Sequence, residues 1–585
     1  VLVARSFSRR EFLKLSVGAA AGTQLARLPF AEALAGRSPH LAPSASHTTL
    51  GRTIVKGSRA GQGAKADYFR LAFGEGEPHL LRADLGPRSA SPIRLATSFV
   101  QLTDVHLVDA QSPARVEFLD RYDDGSCPGS MLNAAFRAHE TLTVQVLESM
   151  IRRLRRIGVG PVARVPFRFV VATGDNTDNE QLNELRWFVD TMDGGGLITP
   201  NSGGPDYEGV QAASWGDGEY WHPNAGLADK YKLDYGFPDA PGLLGQALQP
   251  FRAKGVGMRW IQALGNHDGL IQGNVHRNDA LNQIAIGPAK FTGPPPAFDP
   301  CNPLENLLAA PTTPVTADPR RRTLRRSDYI EQMFHTTGTP VGHGFRQRNR
   351  DDGAAYFTWD REGWLRFITL DTVNPGGYDS GSIGQTQFDW LERRLIAAHS
   401  RYFDANGNPV RTTNTDRVVV LFSHHGLRSL DNPNTAPDPD DPGSNDLPRI
   451  MADQVEALVH RFPNVVAWVN GHTHDNVITA RPDPAKLTHG FWDIGTAAHI
   501  DWTSQSRIVE LAVRRDGSIS IWCTIFDHDA PADPRGLTGL PYLASLHREL
   551  TANDYQYGFA SKGPGEPPDR NVELTLPPLP WLRRQ

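Results

Sequence analysis

Val170-Val171-Ala172-Thr173-Gly174-Asp175-Asn176-Thr177-Asp178-Asn179 is the stretch that decides the fold of this chain. The apolar run from Phe167 to Ala172 ends in a glycine and then a carboxylate. A buried strand delivers an acid to the carboxyl edge of a sheet in this way, and α/β proteins place their ligands at that edge. Four other segments share the build. Phe99 to His106 ends in Asp104 and His106, and Trp260 to Asp268 ends in Asn266, His267 and Asp268. Val418 to His425 ends in the doublet His424-His425, and Val465 to His474 ends in Asn470, His472 and His474. Strands that converge on one edge with oxygen and imidazole groups describe a metal site.

Outward from these strands the pattern alternates. Ala134 to Arg156 and Asn179 to Met192 have helical periodicity on either side of strand 167–173, so a sheet is covered by helices on its faces. Ala354 to Trp359 and Trp364 to Asp371 flank the turn Asp360-Arg361-Glu362-Gly363, a hairpin signal. Helices are predicted over Gln385–His399 and Pro448–His460, and further strands over Phe491–Thr496, Ser506–Val513 and Ile519–Phe526. Two stretches lack periodicity, 193–256 and 269–352. Both leave the sheet at its ligand-bearing edge and are placed to wall the site. The second carries the basic patch Pro319 to Arg326, which reads either as a steering surface for an anion or as a solvated face.

Composition narrows the class. The 55 Gly and 45 Pro are about a sixth of 585 residues, below the roughly 25–30% that suggests disorder. A net charge of −5 argues against a general nucleic-acid binder. Three cysteines in a chain this long do not make a disulfide scaffold. Cys523 lies in an alternating strand and reads as a buried thiol. Cys127 and Cys301 lie in loops, and if a bridge forms it joins those two.

Near its start the chain carries an address. Ser8-Arg9-Arg10-Glu11-Phe12-Leu13-Lys14 precedes an Ala/Gly-rich apolar run, and Ala33-Leu34-Ala35 supplies a small-x-small cleavage pattern. The paired arginines resemble the twin-arginine export signal of bacteria. The apolar run is too short to span a bilayer, and no later stretch reaches ~18 apolar residues. The expected organisation is a signal over 1–35, a leader with a weak hairpin over 36–96, the main domain over 97–529 and a tail over 530–585. The mature protein is expected to be soluble and extracellular, cell-wall bound or periplasmic, after export by the twin-arginine machinery.

Taken in order, Asp104-x-His106, Gly174-Asp175-x-x-Asp178, Gly265-Asn266-His267-Asp268, His424 and Gly471-His472-x-His474 resemble the calcineurin-like metallophosphoesterase superfamily. The resemblance covers residues about 97–500. It implies an α/β fold, a four-layer α/β/β/α sandwich of two mixed sheets flanked by helices, with large loop inserts. It also implies two divalent or trivalent ions. Asp175 is the natural bridge between them. Asp104, His106 and His474 would complete one shell, and Asn266, His424 and His472 the other. His424 is preferred over His425 because it is nearer the strand end and the family usually uses the first. Imidazole with carboxylate suits Fe, Mn or Zn.

The implied reaction is hydrolysis of a phosphodiester or phosphomonoester by a hydroxide held between the metals. Asn266 would contact the phosphoryl oxygens. By the same resemblance His267 would protonate the leaving alkoxide or stabilise charge there, with Asp268 placed to orient it. Asp178 reads as a partner of a ligand or a turn former. The rival reading is a non-catalytic secreted protein that has kept a metal site. Turnover of bis(p-nitrophenyl) phosphate with added Mn separates the two.

Overall fold

The computed structural model describes residues 45, 47–122, 135–301, 305–438 and 445–584. The expected export signal over 1–35 and Cys127 lie outside these residues.

Val418–Phe422 shows how the sequence builds the sheets. All five residues are buried. Val418, Val420 and Phe422 face one core, while Val419 and Leu421 face another. Period-two alternation between two apolar environments is what a strand covered on both sides requires. This strand sits inside a six-stranded sheet ordered Phe357–Glu362, Leu365–Thr369, Val418–Phe422, Val465–Asn470, Phe491–Gly495 and Val477–Arg481. The inner four strands run parallel and the two outer ones antiparallel.

The other large sheet has seven strands, ordered Leu80–Arg82, Val572–Leu576, Ile519–Asp527, Gln505–Arg514, Ile93–Leu102, Val170–Ala172 and Trp260–Gln262. It too is mixed, and its last three strands run parallel. The sequence reading put five ligand-bearing strands on one edge. Here they divide, three in the seven-stranded sheet and two in the six-stranded one.

Aromatic packing joins the sheets. The Phe99 ring meets Phe367 edge-on at 5.8 Å and Phe422 at 5.5 Å. Such offset contacts add stability beyond the buried area. Nearer the carboxyl ends, the buried Gln101 amide donates to Thr173 Oγ1 and to the Asn470 carbonyl, and accepts from Thr496 Oγ1. One side chain thus fixes strand ends of both sheets relative to each other.

Helix Thr143–Ile157 buries Leu147, Met150, Ile151 and Leu154 on one stripe against the same core. It ends at Gly158, whose φ of 67° lets its N–H reach the Leu154 carbonyl. Helices Gln385–Ile396 and Ala452–His460 cover the outer face of the six-stranded sheet with Trp390, Leu391, Val455 and Leu458.

Several sequence expectations change. Arg52–Gly61, read as part of a loose leader, is a strand paired with Tyr68–Glu75. Its alternation is hidden because most of its side chains are exposed. Leu80–Arg82 is not the second arm of a hairpin but runs parallel to Val572–Leu576. The segment after Asp529, read as a tail, therefore supplies a sheet strand. It also supplies helix Gly539–Asn553, buried from Leu543 to Ala552. Among the described residues that line the cavity over the site, none comes from the stretch 193–256. Its Tyr220, Trp221, Tyr231 and Phe237 pack with Leu543, Leu546 and Leu550 of that helix. The basic patch is largely paired internally: Arg320 with Asp318, Arg321 with Asp109, Arg322 with Asp328 and Arg326 with Asp371. Cys301 is disulfide-bonded and Cys523 is a buried free thiol. Among the described residues no helix is long and apolar enough to cross a membrane.

Candidate metal centre

The two sheets bring Asp104, His106, Asp175, Asn266, His424, His472 and His474 to one place. Ligand atoms of Asp104, His106 and His474 lie within 4.8 Å of one another, as do those of Asp104, Asp175 and His424. The same holds for His106, Asp175 and His267, and for His424, His425 and His472. One oxygen of Asp175 stands between the two halves: Oδ2 is 3.5 Å from His106 Nε2 and 3.1 Å from His424 Nε2.

Turning a side chain inward at a strand end takes unusual backbone. Asp104, His106, Asp175, His472 and His474 all have φ between 43 and 72°. Non-glycine residues seldom adopt this region, and such residues cluster at functional sites. Gly174, at φ 92°, makes room for a ring from the other sheet: a Cβ there would come 2.7 Å from His424 Nδ1.

Three imidazoles are oriented in the same sense. His106 Nδ1 faces Asp178 Oδ1 at 3.1 Å, His474 Nδ1 donates to Asp501 Oδ2 at 2.6 Å, and His424 Nδ1 donates to the Thr173 carbonyl at 2.9 Å. Each therefore turns Nε2 toward a carboxylate. His106 Nε2 has no hydrogen-bond partner although it is buried. His474 Nε2 is 3.3 Å from Asp104 Oδ1. The Asn266 amide donates Nδ2 to the Gly273 carbonyl, leaving Oδ1 2.9 Å from His424 Nε2. Lone pairs of imidazole, amide and carboxylate converge on common points, and this donor set fits cations.

The electrostatics agree. Burial alone would lower His424 and His474. Asp175 nevertheless raises His424 to about 9, and Asp104 and Asp501 raise His474 to about 10. Despite burial, which raises carboxylates, His474 holds Asp104 down at about 2, and His424 holds Asp175 well below its usual range. His472 is pushed down to about 3 by burial and by His424. The carboxylates thus draw positive charge onto His424 and His474, while His472 is held neutral.

The doublet separates. His424 Nε2 points at Asp175 and Asn266. Both His425 nitrogens already face oxygens, Nδ1 at Thr372 Oγ1 and Nε2 at the Asp379 carbonyl. Asp178 meets His106 with Oδ1 and Arg115 with Oδ2, as a partner of a candidate ligand.

Asp268 does not orient the His267 ring. Its oxygens accept from the Asn176, Thr177 and Gly265 backbone N–H groups, the Asn176 amide and the Thr177 hydroxyl. It clamps one ligand loop to another. Burial and the nearby Asp175 charge push it up to about 7. The ring of His267 is held instead by the Asp178 carbonyl, which accepts from Nδ1 at 2.8 Å. Burial and His106 lower His267 to about 4.

Sequence reasoning missed Asp501, Arg137 and Arg115. Asp501 joins His474 to Arg137, whose Nε and Nη2 reach the two Asp501 oxygens at 2.8 and 3.1 Å. The available signal was His499-Ile500-Asp501, which follows a strand beside the one that carries His472.

A cavity of about 250 Å³ opens over the site, lined at its base by Asp175, Asn266, His267, His472 and His474.

No protein-family model matches the sequence, and no curated protein matches it. Comparison with solved structures finds a dimetal phosphatase from Danio rerio, 11% identical, with a TM-score of 0.31 over 74% of this chain and 99% of that one. PhoD is 10% identical, with a TM-score of 0.28 over 78% of this chain and 71% of that one. A protein described as a 5′-nucleotidase from Staphylococcus aureus is 12% identical, with a TM-score of 0.27 over 77% of this chain and 58% of that one. Likeness at this level leaves the function to rest on the site itself.

Proposed function

We propose that the chain is a metal-dependent phosphoesterase, an exported hydrolase of phosphate monoesters or diesters that uses two metal ions. The observation that carries this reading is the pair of ligand clusters on either side of Asp175 Oδ2. Asp104, His106 and His474 would hold one ion, Asn266, His424 and His472 the other, and Asp175 both. The fold that goes with it is a helix–sheet–sheet–helix sandwich.

When bound, two such ions lower the pKa of a water toward neutrality and neutralise charge on the phosphoryl oxygens. The chain's own residues do the rest. Asp178, Asp501 and the Thr173 carbonyl fix the ring orientations of His106, His474 and His424. The Gly273 carbonyl fixes the Asn266 amide with its oxygen inward. With Nδ1 committed to the Asp178 carbonyl, His267 lines the cavity with Nε2 left to serve the departing oxygen of the ester. Imidazole and carboxylate donors suit Fe, Mn or Zn.

The test is elemental analysis of the purified chain together with turnover of bis(p-nitrophenyl) phosphate and of a monoester with added Mn. Two ions per chain with turnover support the reading, and a metal-loaded protein inert on both esters overturns it. The export part has its own test. Arg9→Lys with Arg10→Lys should hold the protein in the cytoplasm, and normal export of that variant would refute it.

A further inference from the structure

The base of the cavity is polar, but one wall is not. Val116, Leu119, Ile271, Val275, Leu281 and Leu307 line it. Most belong to a small hydrophobic cluster separate from the main core. Val275, Leu281 and Leu307 also line a second hollow of about 410 Å³, which reaches the exposed Leu308. The apolar surface is therefore continuous from the candidate metal centre to solvent.

The wall begins at His267. Gly273 packs over its ring so closely that a Cβ there would come 2.4 Å from Nε2. Ile271 and Val275 flank that glycine and are joined by a backbone hydrogen bond from the Ile271 N–H to the Val275 carbonyl. The side of the site where a leaving group would depart is thus the side that turns apolar.

The wall is aliphatic between Gln272, Asn274 and Asn278. Among the described lining residues the one non-histidine ring is Tyr557, and it stands beside Arg137 at 5.4 Å and His474 at 6.4 Å. Bases are usually gripped by stacking on aromatic rings, and sugars need a row of polar partners. The described wall supplies no ring, and its Gln272, Asn274 and Asn278 side chains are turned to the chain itself: Gln272 Oε1 accepts from the Val116 N–H, the Asn274 amide donates to the Gln272 carbonyl and Asn278 Oδ1 accepts from the Leu281 N–H.

Resting on the phosphoesterase reading, we infer that the alcohol part of the substrate is an aliphatic chain, lying along this wall with its far end at Leu308. Hydrolysis of such an ester breaks the P–O bond to the chain and forms a P–O bond to the oxygen of water. The departing alkoxide ends with a proton derived from that water.

The test uses the full metal-loaded chain with methyl, butyl, hexyl and octyl phosphates, and with the matching non-hydrolysable alkylphosphonates as binding probes. Each added methylene should raise kcat/KM about fourfold until the groove is filled. Octylphosphonate should bind at least about a hundredfold tighter than methylphosphonate. Leu281→Asn should flatten both series. Leu308→Gln, at a side chain already 60% exposed, should lower only the gain from the longest chains. A flat series, or a nucleoside monophosphate preferred to octyl phosphate, would overturn the inference and leave the phosphoesterase reading intact. Chain-dependent phosphonate binding without hydrolysis of any ester would overturn the phosphoesterase reading and leave the wall as a binding site for an aliphatic chain. Neither hydrolysis nor chain-dependent binding would overturn both.

Discussion

Asp501 Oδ2 accepts a hydrogen bond from His474 Nδ1 at 2.6 Å, and Arg137 grips the same carboxylate through two nitrogens. This fixes which ring nitrogen of His474 is free to hold a cation and raises its basicity. Asp501→Asn keeps an oxygen for one partner and removes the charge. Metal affinity should fall about 10–100-fold while the thermal unfolding of the metal-loaded protein stays cooperative. Competition against a chelator of known strength reads the affinity. No change in affinity would show that His474 is oriented by other contacts.

Asp175 gives a prediction about stoichiometry. Its Oδ2 lies between His106 and His424, so Asp175→Asn should reduce occupancy at both positions. His106→Ala should empty mainly one, because the Asn266, His424 and His472 group does not include it. Elemental analysis of dialysed protein distinguishes the two patterns. Full occupancy in Asp175→Asn would remove it from the bridge.

The strands that carry chemistry were legible because each is a short apolar run that stops at a polar residue. Val170–Ala172 and Val465–Asn470 are of that kind. The division of those strands between two sheets was not, because strand order is set by pairings across hundreds of residues, such as Leu80–Arg82 with Val572–Leu576. Asp501 and Arg115 escaped for a related reason. Their partners, His474 and Asp178, are 27 and 63 residues away. The lone Asp501 in a loop has no periodicity to betray it.

Asp120 should make stability depend on pH. Burial and then the neighbouring Asp554 raise its carboxyl to about 8, against about 3.9 in an unfolded chain. Between those values the folded protein keeps a proton that the unfolded chain has released. Stability therefore falls as pH rises from about 4 to about 8 and levels off above. Asp120 accepts from the Ala135 and Phe136 N–H groups and from the Gln556 amide, all contacts an asparagine oxygen can share in part. Asp120→Asn should gain on the wild type between pH 5 and pH 8 by on the order of a few kcal/mol. Denaturant midpoints at the two pH values read this difference. Parallel pH dependence in the two proteins would show that Asp120 is ionised in the fold.

His267 stands where the polar base of the cavity meets its aliphatic wall, with Nδ1 held by the Asp178 carbonyl. Burial and His106 keep the ring neutral at pH 7 in the free protein, with its one proton on Nδ1. Nε2 can therefore hand a proton to the leaving oxygen only after taking one released by the attacking water. If it assists the leaving group, its value depends on how badly that group leaves. An alkoxide needs a proton as the P–O bond breaks, and a positioned acid contributes roughly 10²–10⁴-fold in such steps. A p-nitrophenolate leaves without that help. His267→Ala should therefore slow alkyl esters far more than p-nitrophenyl esters, with metal content little changed. His472→Ala should slow both and lower metal content, because its ring lies with His424 in one candidate ligand cluster. The measurement is kcat/KM for one alkyl and one aryl ester in each variant, with elemental analysis alongside. Equal losses on both esters in His267→Ala would move its action from the leaving oxygen to the phosphoryl group. Loss of metal in that variant would mean that the His106, Asp175 and His267 cluster itself holds an ion.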